Sequence, residues 1–212
     1  MNYGRLSLMK IKTNRTDLSG HITVPGSKSH TIRALLLAAL AEGTSKIHNP
    51  LPSADCVSTS KAIPLIGADV ELGKDTWTVK GAGKNVHLPE NVVDVGNSGS
   101  LLYFLSPIAA TFEGWSVFTG DESIRRRPVS HVVEVLNQMG AEAHVSIPGT
   151  STCPMLIKGP VNTDKKIVTE GSVSSQYISG LMMAASRMNG TLRIELTDPK
   201  ETPYLTMTQK WL

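Results

Sequence analysis

The sequence predicts an α/β fold built from repeated βαβαββ units, the third of them incomplete. Three observations carry this. Small polar residues run into an apolar helix three times, around Ser29, Ser100 and Ser175, which lie 71 and 75 residues apart. After each helix a glycine turn feeds an alternating strand, in Ala41-Glu-Gly-Thr-Ser-Lys-Ile-His48, Phe112-Glu-Gly-Trp-Ser-Val-Phe118 and Met188-Asn-Gly-Thr-Leu-Arg-Ile-Glu195. The second helices and hairpins echo as well, with Ile66-Gly-Ala-Asp-Val70 against Met139-Gly-Ala-Glu-Ala143 and Thr78-Val-Lys-Gly81 against Leu156-Ile-Lys-Gly159. Self-similarity at a fixed period marks a repeat architecture, so each unit reads strand, helix, strand, helix, hairpin.

The first unit covers about residues 21–94. Pro25 and Gly26 break the extended run before them, Ser27 or Ser29 caps the helix that follows, and Gly43 stands where a left-handed C-terminal residue is wanted. This start has the chemistry of an anion site, because first-turn N–H groups and the positive end of the helix dipole face outward. Lys28 adds a mobile charge, and Arg33, four residues after Ser29, adds a planar fork on the same face. Taken alone, the segment equally describes a capped core helix with solvated cations; its recurrence favours the site.

The second unit covers about residues 95–170 and opens on Gly96-Asn-Ser-Gly99, where glycines let backbone N–H groups approach an anion closely. An ordinary strand-to-helix turn is the alternative. Next comes Gly120-Asp-Glu-Ser-Ile-Arg-Arg-Arg-Pro128, with a proline suited to the first turn of a helix. Most of such a run is solvated, so Arg127 alone is taken as a ligand. The third unit, about residues 171–212, offers two hydroxyls and an amide at Ser174, Ser175 and Gln176. Tyr204 beside Pro203 marks a fourth helix start. Gly67 and Gly140 close the second helices 73 residues apart, so the third equivalent falls just past Leu212. The expectation is a longer parent chain or a partner that supplies the missing strands, with residues 1–20 pairing with that absent second domain and Met9 as an alternative start.

Composition excludes several classes. At 212 residues, 40% hydrophobic and 18% charged, the chain can bury a substantial core. A net charge of +3 with one basic run and no interleaved aromatics argues against nucleic acid. Cys56 and Cys153 lack metal or redox spacing and fit a reducing, cytoplasmic setting. His131 and Glu134 read as a solvated pair one turn apart. The longest apolar run, Ala34 to Ala41, is too short for a bilayer, and no secretory segment follows Met1.

Pro25-Gly-Ser-Lys-Ser29 with Arg33, Gly96-Asn-Ser-Gly99, Gly120 to Pro128, Ser172-Val-Ser-Ser-Gln176 and Pro203-Tyr204 together resemble the family of 5-enolpyruvylshikimate-3-phosphate (EPSP) synthases. The resemblance runs from about Ile11 onward and covers the first half of the family's sequence. It implies one domain of a two-domain, inside-out α/β barrel with helices buried within. It also implies transfer of the enolpyruvyl group of phosphoenolpyruvate to the 5-hydroxyl of shikimate 3-phosphate, with no metal or organic cofactor. By motif position Lys28 meets both ligands and is the one candidate proton donor. Ser29, Arg33, Ser174, Ser175 and Tyr204 fall to shikimate 3-phosphate, Asn97, Gly99 and Arg127 to phosphoenolpyruvate, and Gln176 to both. The family's acid and base carboxylates lie in its second half.

This chain departs from the pattern at three places. Tyr103 stands where an arginine is usual and Ile32 where a polar residue is common. Glu201 replaces a serine that binds the sugar phosphate; a carboxylate would repel that group, so Glu201 is left outside the site. Two rivals follow: a noncatalytic phosphate-binding half-module acting with a partner chain, and the sister enzyme acting on a UDP-linked amino sugar. The latter is disfavoured because Glu122 occupies the position of its reactive cysteine.

Overall fold

The computed structural model describes residues 10–161 and 164–212. Of the N-terminal segment set apart by sequence, residues 1–9, with the alternative start at Met9, lie outside the described residues.

The middle of the chain carries the repeat in full. Strand β4 (Val93–Asp94), helix α3 (Gly99–Ala109), strand β5 (Gly114–Thr119), helix α4 (Ser130–Gln138) and the hairpin β6 (Glu142–Val145) and β7 (Met155–Gly159) follow the order βαβαββ. They form one sheet, β4-β5-β7-β6, in which β4 and β5 run parallel, as a connection through a helix demands. Before it come α1 (Lys28–Leu40), β1 (Glu42–His48), α2 (Ala54–Ala62) and the hairpin β2 (Asp69–Leu72) and β3 (Thr76–Ala82), as an antiparallel sheet β1-β3-β2. After it come β8 (Lys166–Glu170), α5 (Ser175–Ala185), β9 (Arg193–Thr197) and α6 (Thr202–Trp211), with β8 and β9 paired in parallel.

Two sequence expectations need correction. No strand precedes α1: residues 10–24 pair with nothing among the described residues, and Ile22 and Val24 are exposed. The repeat predicts an extended segment there, but a strand exists only where another backbone takes its hydrogen bonds. Gly43 does adopt a positive φ of 84°, yet α1 ends at Leu40 and Gly43 lies inside β1 opposite Gly81. Its freedom serves the strand entry, not the helix end.

The core draws heavily on α1, α3 and α5, whose residues are mostly buried. Every residue of α3 but Tyr103 is buried, so this mostly apolar helix is enclosed on nearly all sides, as an interior helix is. Helix α5 packs directly on it. Gly180 makes that packing possible: a Cβ there would stand 2.1 Å from the Tyr103 carbonyl oxygen and 3.0 Å from Phe104 Cα. Because the two axes approach so closely, the first turns of α3 and α5 open side by side. Among the described residues no helix is long and apolar enough to cross a membrane.

Candidate functional site

Each central helix begins on a serine cap. Ser27 accepts from His30 N–H, Ser98 from Leu101 N–H and Ser174 from Gln176 N–H, at 3.4, 3.1 and 3.1 Å. An extended residue with a short hydroxyl satisfies a first-turn donor and leaves the others facing out. Packing of α1, α3, α5 and α6 then gathers these starts around one cavity of about 190 Å³. Lys28, Ser29, Arg33, Ser175, Gln176 and Tyr204 line it, as the sequence groups them, together with Ser100, Phe104 and Glu201, which it does not assign. Ser174 stands one residue behind the wall as the α5 cap. A larger depression of about 400 Å³, between α1, β1 and Trp211, is lined by none of the sequence-predicted site residues. The smaller cavity is the one that gathers the candidate residues.

Arg33 is the structural centre of that cavity. Only 2% exposed, it donates from Nε to Thr208 Oγ1 at 2.8 Å, from Nη1 to the Ser29 carbonyl at 3.0 Å and from Nη2 to Ser179 Oγ at 3.2 Å. A longer contact reaches the Tyr204 carbonyl at 3.5 Å, and the guanidinium lies 4.8 Å from the centre of the Phe104 ring. Among the described residues no carboxylate forms an ion pair with it. Burial lowers its pKa from the usual arginine value, and the nearby Tyr204 phenol partly offsets this. Arg33 therefore underlies the pocket as an unneutralised positive charge, with its fork already engaged by the protein. Lys28 is different: its side chain is about half exposed, and its ammonium stands 3.7 Å from Asp55 on α2, a partner the sequence reading does not name.

Glu201 corrects the sequence reading that left it outside. Its Oε2 accepts from Ser175 Oγ at 2.8 Å and from Ser175 N–H at 3.3 Å, inside the cavity wall. The positive helix start that would bind an external anion attracts an internal carboxylate by the same force. Gln176 joins the helix starts, since its Oε1 accepts from Ser100 Oγ at 3.3 Å.

Asn97, Gly99 and Arg127 form a second group at the α3 start, outside the lining of this cavity. Gly99 opens α3, and a Cβ there would stand 2.8 Å from Arg127 Nη1, with no other heavy atom closer. Asn97 donates to Asp121, whose carboxylate also accepts from Ile124 N–H at 3.0 Å. These contacts, Ile124 first, hold Asp121 below the ordinary carboxylate range and tie the α3 start to the arginine loop. In that loop Arg125 donates to the Gly120 carbonyl and Arg126 pairs with Glu122. Arg127 is exposed, and among the described residues its side chain makes neither an ion pair nor a hydrogen bond, whereas Arg125 is held by a carbonyl and Arg126 by a carboxylate. Tyr103 does not take up the role of a second cation: its hydroxyl donates to the Pro128 carbonyl at 3.4 Å and its ring meets His131. His131 is not a solvated partner of Glu134. Its ring lies between Tyr103 and Tyr177, at 5.2 and 4.8 Å, and burial lowers its pKa.

Sequence reasoning also missed Ser179 and Thr208 behind Arg33. A four-residue step from Ser175 and from Tyr204 puts them on the site-facing sides of α5 and α6, so helical periodicity carries that signal.

Fold and site define a class: an α/β protein whose helix starts converge on one polar, cation-bearing pocket. The family model described as EPSP synthase (3-phosphoshikimate 1-carboxyvinyltransferase) matches residues 12–212. The chain belongs to the EPSP synthase family. It is 40% identical over 204 residues to a 3-phosphoshikimate 1-carboxyvinyltransferase of Ruminiclostridium cellulolyticum, covering 96% of this chain and 48% of the relative. A Methanococcus maripaludis protein of the same name is 39% identical over 193 residues, covering 90% and 44%. The solved EPSP synthase of Acinetobacter baumannii superposes with a TM-score of 0.76 at 30% identity, over 86% of this chain and 41% of that one. The chain thus spans about half the length of the curated relatives it matches.

Proposed function

We propose that this chain supplies one face of a cytoplasmic active site that transfers the enolpyruvyl group of phosphoenolpyruvate to the 5-hydroxyl of shikimate 3-phosphate, releasing phosphate. The observation that carries this reading is the convergence of four helix starts, with Lys28, Ser29, Ser175, Gln176 and Tyr204, on one small cavity. Family membership supports it. At about 190 Å³ the cavity is smaller than the usual range of roughly 300–1,000 Å³ for a ligand site, which suits half of a cleft. The other face would come from a second domain, in cis or in trans.

In this reading Lys28 meets both substrates. Ser29, Ser174, Ser175 and Tyr204 hold the sugar phosphate with Gln176, and Arg33 acts from beneath through its field. Asn97, Gly99 and Arg127 bind phosphoenolpyruvate at the neighbouring helix start, within reach of Gln176. The 5-hydroxyl adds to C2 of phosphoenolpyruvate and loses its proton while C3 gains one; the tetrahedral intermediate then loses phosphate from C2 and a proton from C3, which restores the double bond of the enolpyruvyl group. Lys28 is the candidate proton donor on this face. A positioned acid and base are both required, so the facing half must bring the rest.

Phosphate release from the two substrates tests the reading. The chain by itself is expected to stay at background, and addition of the complementary half of a relative is expected to restore turnover. Binding of both substrates with no turnover in the assembled protein would favour the noncatalytic module instead.

Gly99→Ala supplies a second test. The glycine has no positive φ and its Cβ would meet only the tip of Arg127, so folding stability is expected to move by less than about 1 kcal/mol. The Michaelis constant for phosphoenolpyruvate in the assembled enzyme is expected to rise roughly tenfold, about 1.4 kcal/mol. If the effect runs through Arg127, adding Gly99→Ala to Arg127→Ala changes the constant little further. Full additivity of the two substitutions would show that the methyl group acts without Arg127.

A further inference from the structure

We propose that Glu201 is an internal competitor for the anion position at the start of α5, and that it sets how tightly the pocket takes a phosphate group. The inference rests on the reading of this pocket as an anion site.

Glu201 immediately precedes α6, at φ 53° and ψ 30°, a left-handed conformation uncommon for a non-glycine residue. A residue there ordinarily turns its side chain onto its own helix, yet Glu201 makes no such capping bond. It reaches across to α5 instead, where one oxygen accepts both the hydroxyl and the backbone N–H of Ser175. Those are donors that an incoming phosphate would use. The second oxygen, Oε1, makes no hydrogen bond among the described residues, so the carboxylate is held on one side only. Two anions cannot share the same pair of donors, because like charges at contact distance repel. A phosphate group must therefore displace the carboxylate. The side chain of Glu201 is exposed and can swing outward, so displacement is a toll on affinity and not a permanent block. Lys28 and Arg33 favour either anion and do not choose between them. The choice lies with Glu201.

Calorimetric titration of the 212-residue chain with inorganic phosphate tests this. The proteins compared are the wild type, Glu201→Gln, Glu201→Ser and Lys28→Ala. Glu201→Gln keeps the length and an acceptor for Ser175 but removes the charge, so its fold is protected. Glu201→Ser removes the carboxylate outright. At least about a tenfold gain in phosphate affinity in either Glu201 variant is expected, and a gain in either supports the proposal. If both variants stay within threefold of the wild type, Glu201 is no competitor; weaker binding by Lys28→Ala then shows that the pocket still takes phosphate, and unchanged binding shows that phosphate sits elsewhere. If phosphate binds none of the proteins, the anion reading itself fails and the proposal falls with it.

Discussion

Replacing Arg33 with Ala is expected to lower folding stability by about 3–5 kcal/mol, seen as a fall in the urea midpoint at unchanged slope. In a domain of this size that corresponds to a melting temperature lower by roughly 10 °C. The guanidinium joins Thr208 on α6, Ser179 on α5 and the Ser29 carbonyl on α1, and it covers the Phe104 ring on α3. Truncation leaves buried hydroxyls short of a donor and opens a cavity among four helices. Hydrogen bonds to a charged group contribute about 1.5–3 kcal/mol each, against which stands the relief of removing an unpaired buried charge. Arg33→Lys is expected to rescue little, since an ammonium cannot span the fork. A loss below about 1 kcal/mol would mean that Arg33 is not the junction of these helices, and its part in ligand binding could then be read from affinity alone.

Gly180→Ala is the second large effect, expected at about 3 kcal/mol or more by the same unfolding measurement. The new methyl group would stand 2.1 Å from the Tyr103 carbonyl oxygen, and backbone on a buried helix cannot turn aside as a side chain does. Helices α3 and α5 must separate. The contact between Ser100 and Gln176, 3.3 Å across that seam, would open with them. Substrate affinity should therefore fall together with stability, unlike Gly99→Ala, where only the tip of Arg127 is in the way. An unaltered unfolding midpoint would show that the two helices have slack the structure does not suggest.

What was legible in the sequence was local. At α1 the sequence offers Ser27 or Ser29 as the cap and the structure takes Ser27, while Ser98 and Ser174 cap α3 and α5 in the same way, a hydroxyl bonding an N–H two or three residues on. The grouping of Lys28, Ser29, Ser175, Gln176 and Tyr204 rests on the family resemblance, to which the repeat adds the equivalence of the helix starts at Ser29 and Ser175. Arg33 was found but its manner of acting was not: Thr208 is 175 residues away and Ser179 is 146, and no window sees such partners. Glu201 was set aside on charge alone, although the positive start of a neighbouring helix is where a carboxylate is welcome. The strand expected before α1 failed for the opposite reason, as the repeat supplies an extended pattern but not a second backbone to bond it.

The contrast between the two cations of the pocket has a consequence for behaviour in salt. Lys28, whose side chain is about half exposed and whose ammonium already shares its field with Asp55, is open to mobile ions. Dissolved ions mask such a charge over a Debye length of about 8 Å at physiological ionic strength. They cannot crowd around Arg33, which is 2% exposed and surrounded by protein, so its field reaches the cavity through a medium that the ionic atmosphere does not enter. As ionic strength rises, the attraction exerted by Lys28 fades first and that of Arg33 persists. On the proposed function, an anion in this pocket would be drawn in by a cation that salt can hide and kept by one that it cannot.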